Sequence, residues 1–276
     1  MKTIKIPANY YQQFDADYCL DIPGEGYGGW KKTEIELSLK HTAVVVMHAW
    51  NCGTREQYPG WYRAVEYIPR SQEILRAVFP PFLGAVRRSN MFLYHVVSKG
   101  GYYQQYPGFQ RAVRLAGPES VSEKAKIDVG LESLRRFRAE HVSPGRHNQD
   151  DIKAGFSRMD FPPEAKPEGA EGIAENEAQL FALCKTDGVN HLIYAGFAVN
   201  WCLLMSPGGM LDMSRRGFMC STFRQAVTAV ENKESAHFES HKEEALWRVA
   251  LAFGFVFNID DFIAAFSKAS LSQIGK

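Results

Sequence analysis

The chain has 276 residues, 45% of them hydrophobic and 23% charged, with a formal net charge of +1. That is enough apolar side chain to bury one sizeable core, and the near-neutral balance excludes the clustered basic excess of a nucleic-acid binder. The opening MKTIKIPANYY holds no continuous apolar region of signal-peptide type, and no run approaches the ~18 uninterrupted apolar residues of a membrane span. We therefore expect no nucleic-acid partner, no membrane partner and a cytoplasmic protein. The five cysteines (Cys19, Cys52, Cys184, Cys202 and Cys220) are odd in number and widely spaced, which is neither a disulfide framework nor a CxxC zinc pattern. A reducing compartment suits them.

Residues 1–40 are aromatic and turn-rich, and read as an irregular arm packed on the domain that follows. Thr33 to Leu39 (TEIELSL) alternates like a short edge strand. Thr42 to His48 (TAVVVMH) is a continuous valine-rich apolar run ending on a polar residue, as a strand buried on both faces of a parallel sheet would be. Ile68 opens a helical pattern through Phe79 that Pro80-Pro81 interrupts, and Met91 to Val97 (MFLYHVV) is a second buried strand. Residues 100–170 are polar and rich in Gly and Pro, with one helix predicted from Ser122 to Glu140. A structureless loop of that length is unusual, so the stretch reads as an insertion on the carboxyl side of the sheet, a lid or an oligomer contact.

The alternation then resumes. A helix runs from Glu177 to Lys185 with Gly188 as its stop, followed by a strand from His191 to Ala195. The next helix, Cys202 to Met213, is interrupted at Pro207-Gly208-Gly209. A strand from Gly217 to Phe223, a helix from Lys242 to Phe253, a short strand from Phe255 to Phe257 and a helix from Ile259 to Phe266 close the chain. Strands alternating with helices predict an α/β, three-layer, doubly wound parallel sheet. The arm at 1–40 and a domain over 41–276, with its insertion at about 100–170, make up the expected organisation.

In open α/β sheets, ligands bind beyond the carboxyl ends of the strands. His48, His95 and Cys202 fall there. The turn Gly196-Phe197-Ala198-Val199-Asn200-Trp201 delivers Cys202 to a helix N-terminus, where the dipole and free N–H groups lower a thiol's pKa. Placement alone leaves a buried inert cysteine equally open. His48 reads as a general base, a binding residue or a core histidine. His95 reads as structural or substrate-orienting, while Trp50, Trp201 and Asn200 read as candidate substrate contacts. His237 and His241 stand four apart in a polar setting and read as a solvated helix start. A zinc site from His48, His95 and Cys202 is the weakest of these readings, because no short-range ligand spacing supports it.

The run GFAVNWCLL, with Arg216-Gly217-Phe218 and a strand after it, resembles the nucleophile segment of the isochorismatase-like cysteine hydrolases, which include the nicotinamidases. Gly196, Phe197, Ala198, Asn200 and Cys202 match that pattern, and Val199 stands where threonine is usual. Thr42 to Met47 resembles the family's first strand, and Phe253 to Phe257 followed by Asp260-Asp261 resembles its closing strand and helix.

The resemblance implies that Cys202 attacks a small amide or imide and forms a thioester. The N–H groups of Ala198 and Cys202 would form the oxyanion hole, Phe197-Ala198 would be a cis bond, and no cofactor or metal would be needed. It also implies a small-molecule substrate, and we expect a homo-oligomer. The chain departs from the family in carrying His48 where an aspartate base is expected, and in having no clear lysine before the cysteine strand. Lys166 is the nearest candidate, and Ile173 to Glu177, where the lysine's strand would fall, is acidic. A protein that keeps the pocket for binding or assembly without turnover is the alternative.

Overall fold

The structure is a computed structural model. It describes residues 3–89, 91–98, 100–118 and 124–274, with side chains to residue 267. In chain order the elements are β1 (Thr3–Gln12), β2 (Gly29–Ser38), β3 (Thr42–Met47), α1 (Pro59–Ala64), α2 (Ile68–Ala77), α3 (Phe79–Ser89), β4 (Phe92–Val96), α4 (Pro107–Ala116), α5 (Val129–His141), α6 (Gln149–Phe156), β5 (Gly172–Ala174) and α7 (Glu177–Asp187). Then come β6 (His191–Gly196), α8 (Cys202–Met205), α9 (Met210–Arg215), β7 (Met219–Val227), α10 (Ser240–Ala252), β8 (Val256–Phe257) and α11 (Ile259–Ile274).

The strands form one sheet in the order β2-β1-β8-β7-β6-β3-β4-β5. From β8 to β5 all pairings are parallel, as the buried strand patterns predict. The central strands alternate between two cores. On β3, Val44 and Val46 face a layer built with Phe79, Phe82 and Phe262, whereas Ala43, Val45 and Met47 face one built with Leu180, Leu203 and Val249. Helices α2, α3 and α11 cover the first face, and α4, α7 and α10 the second. This is the three-layer α/β arrangement expected from the strand–helix rhythm.

Two expectations change. The irregular arm is a long antiparallel hairpin, β1–β2, and β1 also pairs antiparallel with β8, so the sheet is mixed at that edge. The reason is burial: Ile4, Ile6 and Ala8 alternate inward and share a core with Phe257. The insertion is also narrower than 100–170. Helix α4 is an ordinary crossover between β4 and β5, with Ala112 in the second core. The extra material is α5 and α6. Helix α5 begins at Val129 because Asp128 caps it, its carboxylate accepting from the Leu131 N–H at 2.7 Å. The predicted start at Ser122 lies outside the described residues.

The chain runs outward from β3 to β4 and β5, then returns to β6 on the other side of β3. Beyond the carboxyl ends of β3 and β6 is therefore the crossing point, where the two halves of the sheet diverge and leave a crevice. Among the described residues, no helix is long and apolar enough to cross a membrane.

Candidate active site

Two segments meet at this crevice. Met47 pairs with Gly196 at the end of the β3–β6 ladder, and the Phe197 N–H donates to the Met47 carbonyl at 3.1 Å. His48 follows β3 with a left-handed backbone (φ 53°), and its N–H donates to the Val96 carbonyl at 2.9 Å. The Phe197-Ala198 peptide bond is cis. The sequence thus places His48 and the Phe197–Cys202 turn side by side.

Cys202 is half-buried and begins α8. That helix has only four residues, because Pro207-Gly208-Gly209 ends it after one turn. Burial pushes the thiol above its ordinary value, while the Ser206 hydroxyl and the Ala198 N–H pull it back. The helix-dipole expectation is corrected accordingly: one turn is too short to outweigh desolvation, and the resting group is the thiol. The Ala198 and Cys202 N–H groups, expected to form the hole, have no backbone carbonyl acceptor among the described residues. Ser206 was not singled out as a partner of the sulfur. Its position four residues after Cys202, on the same helical face, was the available signal.

His48 is buried, and its ring stacks on Trp50 with centroids 4.9 Å apart. Burial alone lowers its pKa to about 4, and its Nδ1 has no hydrogen-bond partner. The imidazole is therefore neutral at neutral pH. No hydrogen bond links it to Cys202 among the described residues; the groups acting on the sulfur are Ser206 and Ala198. Tyr67 connects the two residues, since it lines a cavity with His48 and its hydroxyl feels the charge that Cys202 would carry as thiolate.

The remaining candidates separate. Trp50 lines the same cavity as His48. His95 is buried in β4 with its Nε2 2.9 Å from Glu171, which also receives Arg87. This triad, of which only His95 is fully buried, ties β4 to the segment before β5. Burial raises the Glu171 carboxyl, but the hydrogen bonds from His95 and Arg87 outweigh it and bring it to about 2. The Asn200 side chain both accepts from the Val230 N–H and donates to the Val230 carbonyl, each at 2.8 Å, so its amide is used to anchor the turn. Trp201 is 58% exposed and does not line the His48 cavity. Lys166 is exposed, and its carbonyl accepts from Arg87 at 3.0 Å. His237 and His241 lie in a turn and at the start of α10. Among the described residues, no group of three His, Cys, Asp or Glu side chains is placed to hold a metal ion.

The buried imidazoles make a pH prediction. His48 and His191 both have pKa values lowered from 6.5 to about 4 by burial. Below pH 6.5 the unfolded chain takes up protons that the native state refuses until about pH 4. Stability is therefore fully present above pH 6.5 and declines as pH falls toward 4, by ~3 kcal/mol per histidine. Urea unfolding against pH checks this. A His48→Phe variant should show the shallower decline, and equal slopes for variant and parent contradict the assignment.

A sheet with this crossing point, and with a cysteine, a cis peptide and N–H groups without a backbone carbonyl acceptor beside it, defines a three-layer α/β protein with a cysteine at its crevice. Comparison with solved structures gives similar folds among cysteine hydrolases of the isochorismatase type. The cysteine hydrolase from Pseudomonas syringae pv. phaseolicola is 13% identical over 84% of this chain and 95% of that one, with a TM-score of 0.49. An isochorismatase-like hydrolase from Alkaliphilus metalliredigens is 16% identical over 83% and 98%, with a TM-score of 0.47. N-carbamoylsarcosine amidase from Thermoplasma acidophilum is 13% identical over 80% and 97%, with a TM-score of 0.43. Comparison with protein-family models and with curated proteins gives no match.

Proposed function

We propose that the protein is a cysteine hydrolase that cleaves a C–N bond of a small amide or imide, with Cys202 as its nucleophile. One observation carries the proposal: a half-buried thiol stands at the crossing point of the sheet, on a turn whose Ala198 and Cys202 N–H groups have no backbone carbonyl acceptor among the described residues. In the proposed reaction the sulfur bonds to the carbonyl carbon, and the carbonyl π pair moves onto oxygen. The N–H groups of Ala198 and Cys202 hold that oxygen. Collapse expels the nitrogen, which takes up the proton given by the thiol and leaves a thioester. Water then cleaves the thioester, releasing the acid and restoring the thiol.

His48 is the proposed carrier of the proton between these steps, in the place of the family's aspartate. Its imidazole is neutral at neutral pH, with an unpaired Nδ1. The transfer is not spontaneous at rest. Burial holds the imidazole near 4 and raises the thiol, so both groups resist charging and the resting state is neutral imidazole and thiol. The thiol is therefore activated as substrate binds, not beforehand. Alkylation by iodoacetamide tests this point: the Cys202 rate should keep rising beyond pH 8.5, the ordinary thiol range. A plateau already reached at neutral pH would reveal a preformed thiolate and refute it. Cys184 and Cys220, both fully buried, should label far more slowly throughout.

A second reading is favoured by the same protonated thiol and by the exposed Lys166: a small-molecule binding or assembly protein without turnover. Hydrolysis by the parent protein that Cys202→Ala removes decides for the first reading. No hydrolysis of any small amide decides for the second. A homo-oligomer belongs to both readings, and light scattering coupled to size exclusion reads it.

A further inference from the structure

The hairpin β1–β2 ends the sheet on a free edge. Among the described residues no strand pairs with the outer side of β2, and the opposite edge strand, β5, is only three residues long. β2 has ten residues in unbroken register with β1, with no bulge and no proline. Such an edge presents a row of unpaired N–H and C=O groups, and proteins that keep an edge free blunt it with bulges, prolines or charged side chains. β2 has only the charges, and they carry both signs: Lys31, Lys32, Glu34 and Glu36. Trp30 to Glu34 and Glu36 are exposed. The turn that joins the two strands adds apolar surface: Phe14 is 57% exposed, Tyr18 87% and Ile22 61%. That turn is held in one shape, because the Asp17 N–H donates to the Pro23 carbonyl at 3.0 Å and the Cys19 N–H to the Asp17 carboxylate at 2.9 Å.

We propose that the β2 edge binds a second copy of this chain, antiparallel, about a two-fold axis at Thr33, so that the sheets of two protomers run on as one. A two-fold axis normal to the sheet keeps each face on its own side, and opposed side chains share a face, so the axis falls on a residue of β2. Charge then selects that residue. With the axis at Thr33, Lys32 of each protomer stands opposite Glu34 of the other, and Lys31 lies across from Ile35. An axis at Lys31 or Lys32 sets lysine against itself, one at Glu34 or Glu36 sets glutamate against itself, and one at Ile35 sets Glu34 against Glu36. Like charges directly opposite are destabilising, so a single central register survives. Lys32 meets Asp261 of its own chain at 2.7 Å, yet its side chain is 48% exposed and an ammonium has three donors. The same register carries the turn of each protomer past Ser38 of the other. There a crevice of about 550 Å³, lined by Ile35, Leu37, His41 and the exposed Met219, receives the apolar side chains. This specifies the contact of the proposed homo-oligomer and is independent of whether Cys202 turns over substrate.

Sedimentation equilibrium of the intact protein tests the contact with two single charge swaps. Lys32→Glu sets glutamate against glutamate across the axis, and Glu34→Lys sets lysine against lysine. Each should weaken association at least ~10-fold and, alone, should run at half the parental mass or less. Mixed in equal amounts, the two variants should recover the parental mass, because each swapped edge then meets its opposite charge. A role in the fold of the protomer alone would not produce that recovery. Circular dichroism confirms that each variant is folded. Glu34 is exposed, so Glu34→Lys reads the loss even if Lys32→Glu, which also gives up Asp261, fails to fold. A parent protein that is monomeric at every concentration overturns the inference and the homo-oligomer together. An assembly whose mass Glu34→Lys leaves unchanged overturns the inference alone and puts the oligomer on another surface. Two folded, dissociated variants that do not reassociate when mixed also overturn it.

Discussion

Cys202→Ala is expected to fold like the parent protein and to lose amide hydrolysis by ~10³-fold or more. The residue is half-buried and sits on a one-turn helix at the crevice, where it packs only on the margin of the second core, so removing its sulfur takes little from the core. What is lost is the only group in the proposed reaction that forms a bond to substrate. Cys202→Ser keeps a hydroxyl in place but still lacks the nucleophilicity of sulfur, and should fail nearly as badly. His48→Ala should lose less, because it removes the proton carrier and leaves the nucleophile and its N–H groups intact. A Cys202→Ala protein with parental activity would place the chemistry elsewhere.

Gly196→Ala is expected to produce the largest loss of stability of any conservative change at the site. Gly196 has φ 127°, where only glycine is at ease. An added Cβ would lie 1.9 Å from the Met47 carbonyl oxygen and 2.8 Å from the Met47 carbonyl carbon. Both are backbone atoms of the central strand β3, so no side-chain rotation relieves the clash. Either β6 moves away from β3 or the turn to Cys202 is rebuilt. We expect a cost of ~4 kcal/mol or more, a fall in Tm of roughly 10 °C for a chain of this size. Thermal and urea unfolding read the loss, and the surviving folded fraction should alkylate at Cys202 with altered kinetics. A variant within ~1 kcal/mol of the parent would mean that the β3–β6 junction is looser than the geometry says.

Much of this architecture was legible in the sequence where the signal was local. The valine run of β3, the left-handed Gly188 that ends α7 (φ 73°) and the Pro-Gly-Gly break after α8 follow from neighbouring residues alone. The turn from Gly196 to Cys202 carried enough of a motif to predict the cis Phe197-Ala198 bond. The hairpin β1–β2 was misread because its reason lies far away: Ala8 pairs with Phe257 at the other end of the chain, and no window contains both. Helix α4 was hidden in a polar stretch, its burial visible only once β5 had a place in the sheet.

The site was half legible. Cys202, His48 and Trp50 fall at the crevice, while His95 and Asn200 are engaged in holding the fold. What the sequence could not supply was the balance of burial against hydrogen bonding that sets each group's charge. A thiol at a helix N-terminus reads as activated until the helix proves one turn long and the sulfur proves sheltered. A histidine at a strand end reads as a base until burial lowers its pKa to about 4. The histidine is enclosed by residues distant in sequence, the α1–α2 segment and the insertion, which line the cavity beside it, while the thiol packs on the second core.

The central claim is that Cys202 becomes acylated. Mixing the protein with a small activated amide, quenching in acid within the first turnovers and measuring peptide masses tests it most directly. The peptide containing Cys202 should carry the acyl group, which hydroxylamine removes, while the peptides containing Cys184 and Cys220 remain unmodified. Consumption of the amide with no adduct on Cys202, undiminished in the Cys202→Ala variant, would contradict the account.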